Sequence, residues 1–314
     1  MNSILYLTYP LSALAILSLA LGTGVLLTRG FRLGWRLYWI GAATFIASQA
    51  LHIPFNLGLG ALFASGRLPI PPAAWRLVFN ALVLGLSAGL FEELARYATY
   101  RWWAREARSW GRGLLLGAGH AGIEAVLTAG LILWAYLNML ALRGGSLPGG
   151  LSPEQAGQLH AQVQAYWSVV WYDSLLGAAE RLMVLPVHLA LSILVLQVFT
   201  RRQDFQRRQV FRLRQVLRLS QGGWLLLAIG WHTLLDAAAV FFAGSAGIYA
   251  AEAAIAVIAV LSLAILLALR RPEPAALPAA AVSLPPVLPA ETALAGLPSL
   301  EETTERLDQT RYAG

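Results

Sequence analysis

Cysteine is absent from the 314-residue chain, and so is lysine. Without cysteine the protein cannot form disulfides, use thiolate catalysis or bind a metal through sulfur. Charged residues are also scarce, at 12% of the chain, where a soluble domain carries roughly 25%. So little charge cannot cover a water-exposed surface of this size. The composition therefore excludes an ordinary soluble enzyme, a disordered chain and a nucleic-acid-binding protein.

Long apolar runs take the place of the missing charge, and hydrophobic residues make up 58% of the chain. A helix that crosses a membrane needs about 20 mostly apolar residues. The qualifying runs are too long and unbroken to be barrel strands, so they predict an all-α polytopic membrane protein, a bundle of about seven transmembrane helices. The predicted spans are residues 4–27, 37–63, 77–100, 113–142, 166–200, 222–243 and 247–270.

Arginine is unevenly distributed between the segments that connect these runs. Sixteen arginines follow the first, third, fifth and seventh runs, and three lie in the segments between. The positive-inside rule then places the N-terminus outside the cell membrane and the C-terminus in the cytoplasm. The net charge of +7 is explained by this orientation, so the expected partner is the lipid bilayer and nucleic acid is not one.

Three segments are expected to lie outside the bundle. The outer loop 144–164 contains a predicted helix start, from Ser152 to Gln155. The arginine-rich segment 201–218 could be a helix on anionic headgroups or a solvated loop. Residues 272–314 are rich in Ala, Pro, Glu and Thr, which predicts a disordered cytoplasmic tail after a membrane domain of residues 1–271.

Ionisable side chains interrupt several of the apolar runs. Each costs about 2.5–3.5 kcal/mol at the membrane centre, so such residues persist where they pair or have a function. His120 and Glu124 are four residues apart, as are His232 and Asp236, so each pair shares a helix face. The spacings predict a polar interior in the cytoplasmic half of the bundle. The residues expected there are Glu92, Glu93, Arg96, His120, Glu124, Glu180, Arg181, His188, His232 and Asp236.

Some of these residues also have a purely structural interpretation. The Glu180–Arg181 and Glu93–Arg96 pairs could be buried ion pairs that hold helices together. His52, close to Pro54, is expected to satisfy backbone groups freed at a proline kink. Packing alone explains poorly the adjacent acids and the two His-x-x-x-acid pairs, which favour a functional site.

Carboxylates and imidazoles in a bundle core are suited to Zn²⁺ or another divalent metal. A neighbouring glutamate could act as general base on water, and a metal-free site with a glutamate-activated water would need the same residues. Either arrangement is suited to peptide hydrolysis. The same groups could instead relay protons in a proton-coupled transporter or permease, although no repeat of the kind common in transporters is visible.

Four motifs follow one another on successive spans: Phe91-Glu92-Glu93-Leu94-Ala95-Arg96-Tyr97, Gly117 to Glu124, Glu180-Arg181 through Pro186-Val187-His188, and His232 to Asp236. They resemble the motifs of the CAAX-processing and bacteriocin-processing membrane proteases and their PrsW-like relatives. Their order and placement on successive spans are most similar to the YhfC family of intramembrane metalloproteases. The resemblance implies an endopeptidase that cleaves a membrane-associated protein or peptide near the cytoplasmic leaflet. A protease-like binding or immunity protein without activity is the third alternative.

The resemblance also implies roles for individual residues. Glu92 would be the base that activates water, with Glu93 as its partner. His188, His232 and Asp236 would hold metal or water and stabilise the oxyanion. The candidate metal ligands are His120, Glu124, His188, His232 and Asp236, with Arg96, Glu180 and Arg181 in support.

Overall fold

The computed structural model describes residues 3–144, 149–200 and 219–271. Within these ranges the regular structure is helical, which confirms the predicted all-α class. The α-helices of the described ranges are α1 (Leu5–Phe31), α2 (Arg36–Ala64), α3 (Arg76–Ala98), α4 (Trp110–Arg143), α5 (Pro153–Ser168), α6 (Leu176–Thr200), α7 (Gln221–Ala246) and α8 (Ile248–Ala268).

Seven of these helices are long and apolar enough to cross a membrane, as predicted, and α5 is the exception. Short helical turns lengthen two of the seven. Turns at Ala73–Trp75 and Thr99–Trp103 flank α3, and a turn at Trp171–Leu175 leads into α6. The third and fifth candidate spans are therefore Ala73–Trp103 and Trp171–Thr200.

The structure moves the start of the fifth span from residue 166 to Trp171. The apolar run is continuous in sequence, but α5 ends at Ser168, and the backbone is extended at Val169 and Val170. Hydropathy does not detect such a backbone break, so the predicted span included the last residues of α5. The predicted helix start at Ser152 is confirmed, because its hydroxyl accepts a hydrogen bond from the Gln155 backbone in a capping box.

Helix α6 is more buried than any other candidate span and packs against α4, α7 and α8. Helix α3 packs along α7, and α4 packs against α1 and α2. Six of the ten predicted polar residues are buried in the bundle, and the other four are half-buried. The buried ones are Glu92, Glu93, Arg96, His120, His188 and His232. The segments 201–218 and 272–314 lie outside the described residues, and what was predicted for them stays a prediction.

Candidate functional site

Glycine residues determine how closely the helices of the site approach one another. A Cβ atom at Gly119 of α4 would lie 1.8 Å from the carbonyl oxygen of Tyr38 on α2, and one at Gly41 of α2 would lie 2.0 Å from that of Leu116. The backbones of α2 and α4 are therefore in direct contact, as small residues allow between membrane helices. His120, which follows Gly119, is fully buried beside this contact.

Helices α3 and α7 approach each other in the same way. A Cβ atom at Gly85 would lie 2.6 Å from the carbonyl oxygen of Thr233, and one at Gly89 would lie 2.7 Å from that of Ile229. This second backbone contact brings the two adjacent glutamates of α3 within reach of His232 on α7.

Glu92 has a partner on each of its carboxylate oxygens. Its Oε1 accepts a hydrogen bond from Gln49 Nε2 at 2.9 Å. Its Oε2 lies 2.9 Å from His120 Nε2 and 3.8 Å from His232 Nε2. The Oε2 atom therefore faces imidazoles from α4 and α7 in a buried space.

Glu93 contacts the other ring nitrogen of His232, on the side of the ring that does not face Glu92. Its Oε1 lies 2.8 Å from His232 Nδ1, and its Oε2 lies 3.6 Å from Arg96 Nε. Arg96 also donates from Nη1 to the backbone carbonyl of His188 at 3.1 Å. Because Nδ1 of His232 is engaged, its Nε2 is the atom that faces Glu92. A carboxylate behind a histidine is the arrangement that orients metal-binding imidazoles in known sites.

The third histidine, His188 of α6, packs against the rings of the other two. The ring of His188 lies 5.2 Å from that of His120 and 5.5 Å from that of His232, between ring centroids. We call Glu92, Glu93, His120, His188 and His232 the imidazole centre. All five side chains are buried.

The second polar group is built around one arginine. Arg181 of α6 donates to Glu124 of α4 and to its own neighbour Glu180. We call these three residues the arginine clamp. The other oxygen of Glu124 lies 2.8 Å from His188 Nε2, so the clamp and the imidazole centre touch. The clamp is more open to the outside, since the exposed fractions of the Glu124 and Glu180 side chains are 23% and 33%.

Three residues of the imidazole centre could hold a metal ion together. Glu92, His120 and His188 each offer a donor atom, and these atoms lie within 4.8 Å of one another. The Nδ1 atoms of His120 and His188 are buried and have no hydrogen-bond partner among the described residues. Nitrogen and oxygen donors in this number are typical of zinc and similar divalent sites. The residues present therefore fit such an ion.

Asp236 lies at the edge of the imidazole centre. Its Oδ2 is 3.6 Å from His232 Nε2, and its side chain is 35% exposed. None of the described residues forms a hydrogen bond with it, in contrast to the carboxylates of Glu92, Glu93 and Glu124. The predicted site residues thus fall in the imidazole centre, in the arginine clamp or, for Arg96 and Asp236, directly beside the centre.

A row of polar side chains on α2 adjoins the imidazole centre, and two of its members, Gln49 and Asn56, were not predicted from the sequence. Gln49, which contacts Glu92, is followed by His52 and Asn56. His52 Nδ1 lies 3.3 Å from Gln49 Oε1, and its Nε2 lies 2.9 Å from Asn56 Nδ2 and 3.1 Å from Ser87 Oγ of α3. We call Gln49, His52, Asn56 and Ser87 the α2 polar row.

The prediction that His52 satisfies backbone groups near Pro54 is wrong, because both of its ring nitrogens contact side chains. A signal for the row was present in the sequence. Gln49, His52 and Asn56 are three and four residues apart in an apolar run, which places them on one helix face.

Fold and site together define a polytopic membrane protein with a buried cluster of histidines and carboxylates. The profile of the family described as YhfC intramembrane metalloprotease matches residues 15–207. The chain belongs to this family, which confirms the predicted resemblance. A relative from Bacillus subtilis (strain 168), described as "Uncharacterized membrane protein YhfC", is 29% identical over 196 residues, or 59% of this chain and 71% of the relative. No solved structure matches the chain.

Proposed function

We propose that the protein is an intramembrane endopeptidase that hydrolyses a peptide bond of a membrane-associated protein or peptide at the imidazole centre. The observation that carries the proposal is the set of donor atoms of Glu92, His120 and His188, all within 4.8 Å of one another in a buried part of the bundle. Membership of a family named for intramembrane metalloproteases supports it. Burying histidines and carboxylates within a membrane costs free energy, so such a cluster is expected where it has a function.

In this proposal Glu92, His120 and His188 would hold a divalent ion, of which Zn²⁺ suits the donors best. Such an ion supplies polarisation of the scissile carbonyl and a lowered pKa for a bound water. His232, fixed by Glu93 on Nδ1, presents Nε2 to the same space and would stabilise the developing oxyanion.

Asp236 is the carboxylate beside the centre that can still accept a proton, because it has no hydrogen bond within the described part of the chain. Glu92 is then a ligand, whereas the family resemblance implies that it is the base. If water is activated without a metal, Glu92 takes the base role, and its Oε2 already faces two imidazoles.

The test is a comparison of Glu92→Gln with Asp236→Asn in purified protein. Metal content would be measured by elemental analysis, and cleavage with a library of apolar single-span peptides in proteoliposomes. We expect Glu92→Gln to lose both metal and cleavage, and Asp236→Asn to keep metal but lose cleavage. Metal-free wild-type protein that cleaves in the presence of chelator, with inactive Glu92→Gln, would assign the base role to Glu92. Full cleavage by Glu92→Gln contradicts the proposal in both forms.

We also propose that the site opens toward the cytoplasmic leaflet of the cell membrane. The support is the distribution of arginines, since the segments after the first and third spans carry Arg29, Arg32, Arg101 and Arg105. A reporter fused after Arg271 should be located in the cytoplasm, and a tag at Met1 should be accessible from outside the cell. The opposite readings would place the site in the other leaflet.

A further inference from the structure

We propose that Gln49 is a positioning residue for Glu92, and that the rest of the α2 polar row holds Gln49 in place. The proposal rests on the proposed function to the extent that Glu92 is the carboxylate being positioned. The contact is the hydrogen bond from Gln49 Nε2 to Glu92 Oε1 at 2.9 Å. Gln49 itself does not touch the other residues of the imidazole centre in any described contact.

With the amide atoms of Gln49 and Asn56 placed as they are in the structure, the hydrogen bonds of the row run in one direction. Asn56 Nδ2 is a donor, so its contact at 2.9 Å requires His52 Nε2 to accept. A neutral histidine that accepts on Nε2 carries its proton on Nδ1, which then donates to Gln49 Oε1. With its oxygen engaged there, Gln49 must turn its amide nitrogen toward Glu92. Every donor of the row therefore points toward the carboxylate.

The other end of the row is held by α3. Ser87 Oγ lies 3.1 Å from Asn56 Oδ1 and 3.0 Å from the Leu84 carbonyl oxygen of its own helix, and its single proton can be donated to either acceptor. The Asn56 amide nitrogen, on the other side of the amide, faces His52. Ser87 is buried, whereas the three residues of α2 are half-buried. The row thus connects α2 with α3 through the contacts of Ser87 with Asn56 and His52.

The consequence for Glu92 is that its two oxygens are no longer equivalent. Oε1 is occupied by the Gln49 amide, and Oε2 faces His120 and His232. Without the amide, Oε1 would be a buried acceptor without a partner, and the carboxylate would rotate to find another donor. The oxygen that works in the imidazole centre, as ligand or as base, is therefore selected by Gln49.

A residue that only fills space would act differently from a residue that donates a hydrogen bond. Gln49→Glu keeps the shape of the side chain but removes the donor and faces Glu92 with a second carboxylate. Gln49→Leu removes both polar atoms at similar volume. Asn56→Leu acts at the far end of the row and leaves Gln49 in place. Asn138→Leu is the matched control, because Asn138 donates to the Trp134 carbonyl of its own helix, away from the site.

The first readout is independent of activity. The chain contains 5 histidines, so ¹⁵N-histidine labelling of the full-length protein in detergent gives few signals, which can be assigned by single replacements. We expect His52 to be neutral with its proton on Nδ1. We expect the His120 signals, which report on Glu92 Oε2, to shift in Gln49→Glu and Gln49→Leu, to shift less in Asn56→Leu, and to stay unchanged in Asn138→Leu.

The second readout is cleavage of the apolar single-span peptide library by the same variants. Residues that orient a ligand or catalytic group typically account for ~10–100-fold in activity or metal affinity. We therefore expect Gln49→Leu to lower kcat about 10-fold with KM unchanged. A role in packing alone would lower the amount of folded protein and leave kcat per folded molecule unchanged.

The outcomes separate this inference from the proposed function. Unchanged His120 signals in folded Gln49→Glu and Gln49→Leu, or a proton on Nε2 of His52, would overturn the positioning role. Shifted His120 signals in a protein whose wild type cleaves none of the peptides would support the positioning of Glu92 and count against the protease assignment alone. If Gln49→Leu does not fold, Gln49→Glu and Asn56→Leu provide the same comparison.

Discussion

The imidazole centre and the arginine clamp lie side by side and contain the same acidic residue type in different surroundings. In the clamp, Arg181 donates to Glu124 and Glu180, so a permanent cation lies beside both carboxylates and offsets one of their two negative charges. In the imidazole centre, Glu92 faces histidines and an amide. Imidazole nitrogens can give up a hydrogen bond to bind a metal, whereas a guanidinium cannot coordinate one. From this comparison we expect the clamp to stabilise the fold and the proposed chemistry to belong to the centre.

The largest effect is expected when a histidine of the centre is removed. His188→Ala deletes a candidate donor and should lower metal affinity by more than 100-fold, since residues outside the ligand shell already account for ~10–100-fold. Metal titration of the purified protein measures this. His160→Ala on α5 is the matched control, because His160 is exposed and outside the centre. Equal metal affinity of both variants would contradict the assignment of His188 to the centre.

Mutation of the arginine clamp should lower the stability of the protein. Arg181→Leu leaves the partly buried Glu124 and Glu180 without their cation and should destabilise the protein by about 3 kcal/mol, the low end for a broken buried pair because both carboxylates are partly exposed. Thermal unfolding in detergent measures the change.

A second clamp variant sharpens this prediction. Adding Glu180→Gln to Arg181→Leu removes one of the uncompensated charges and should recover part of the lost stability. If Arg181→Leu unfolds at the wild-type temperature yet loses metal, the clamp belongs to the metal site, and the distinction between the two clusters is wrong.

A smaller effect is expected from the helix contact that places His120. Gly119→Ala puts a Cβ atom 1.8 Å from the Tyr38 carbonyl oxygen, so α2 and α4 must separate, at a cost of about 1–3 kcal/mol. Gly130→Ala on the same helix meets open space and should stabilise the protein slightly, because alanine favours the helix. Thermal unfolding and metal titration of the pair would show whether the centre depends on this contact. Similar stability of the two variants would contradict it.

The smallest effect is expected at the exposed contact between Tyr249 and Asp173, neither of which forms a described hydrogen bond with the imidazole centre or the clamp. Tyr249→Phe removes one hydrogen bond at the surface and should change stability by less than about 0.5 kcal/mol. Metal affinity should not change. A loss of metal in Tyr249→Phe would show that the centre extends to the N-terminal end of α8, beyond both clusters described above.

The class of the protein could be predicted from the sequence because hydropathy acts locally along the chain. A run of about 20 apolar residues in lipid must form a helix, so the seven spans could be predicted without knowing which helices pack against one another. The pairs His120–Glu124 and His232–Asp236 could also be predicted to share a helix face, since a spacing of four is a local property. The break at Val169 could not be predicted, because apolar residues continue through it.

The sequence alone determined which residues are polar inside the membrane, since that follows from composition and span length. Which of them touch was decided by the tertiary structure. Glu92 and Glu93 are adjacent in the chain, yet Glu92 faces His120 and Glu93 contacts Nδ1 of His232. The two glutamates have different partners because close backbone contacts, at Gly119 and between α3 and α7, fix how far apart the helices lie. Contacts between helices depend on distance and rotation in three dimensions, so no spacing along one helix could reveal that Gln49 reaches Glu92.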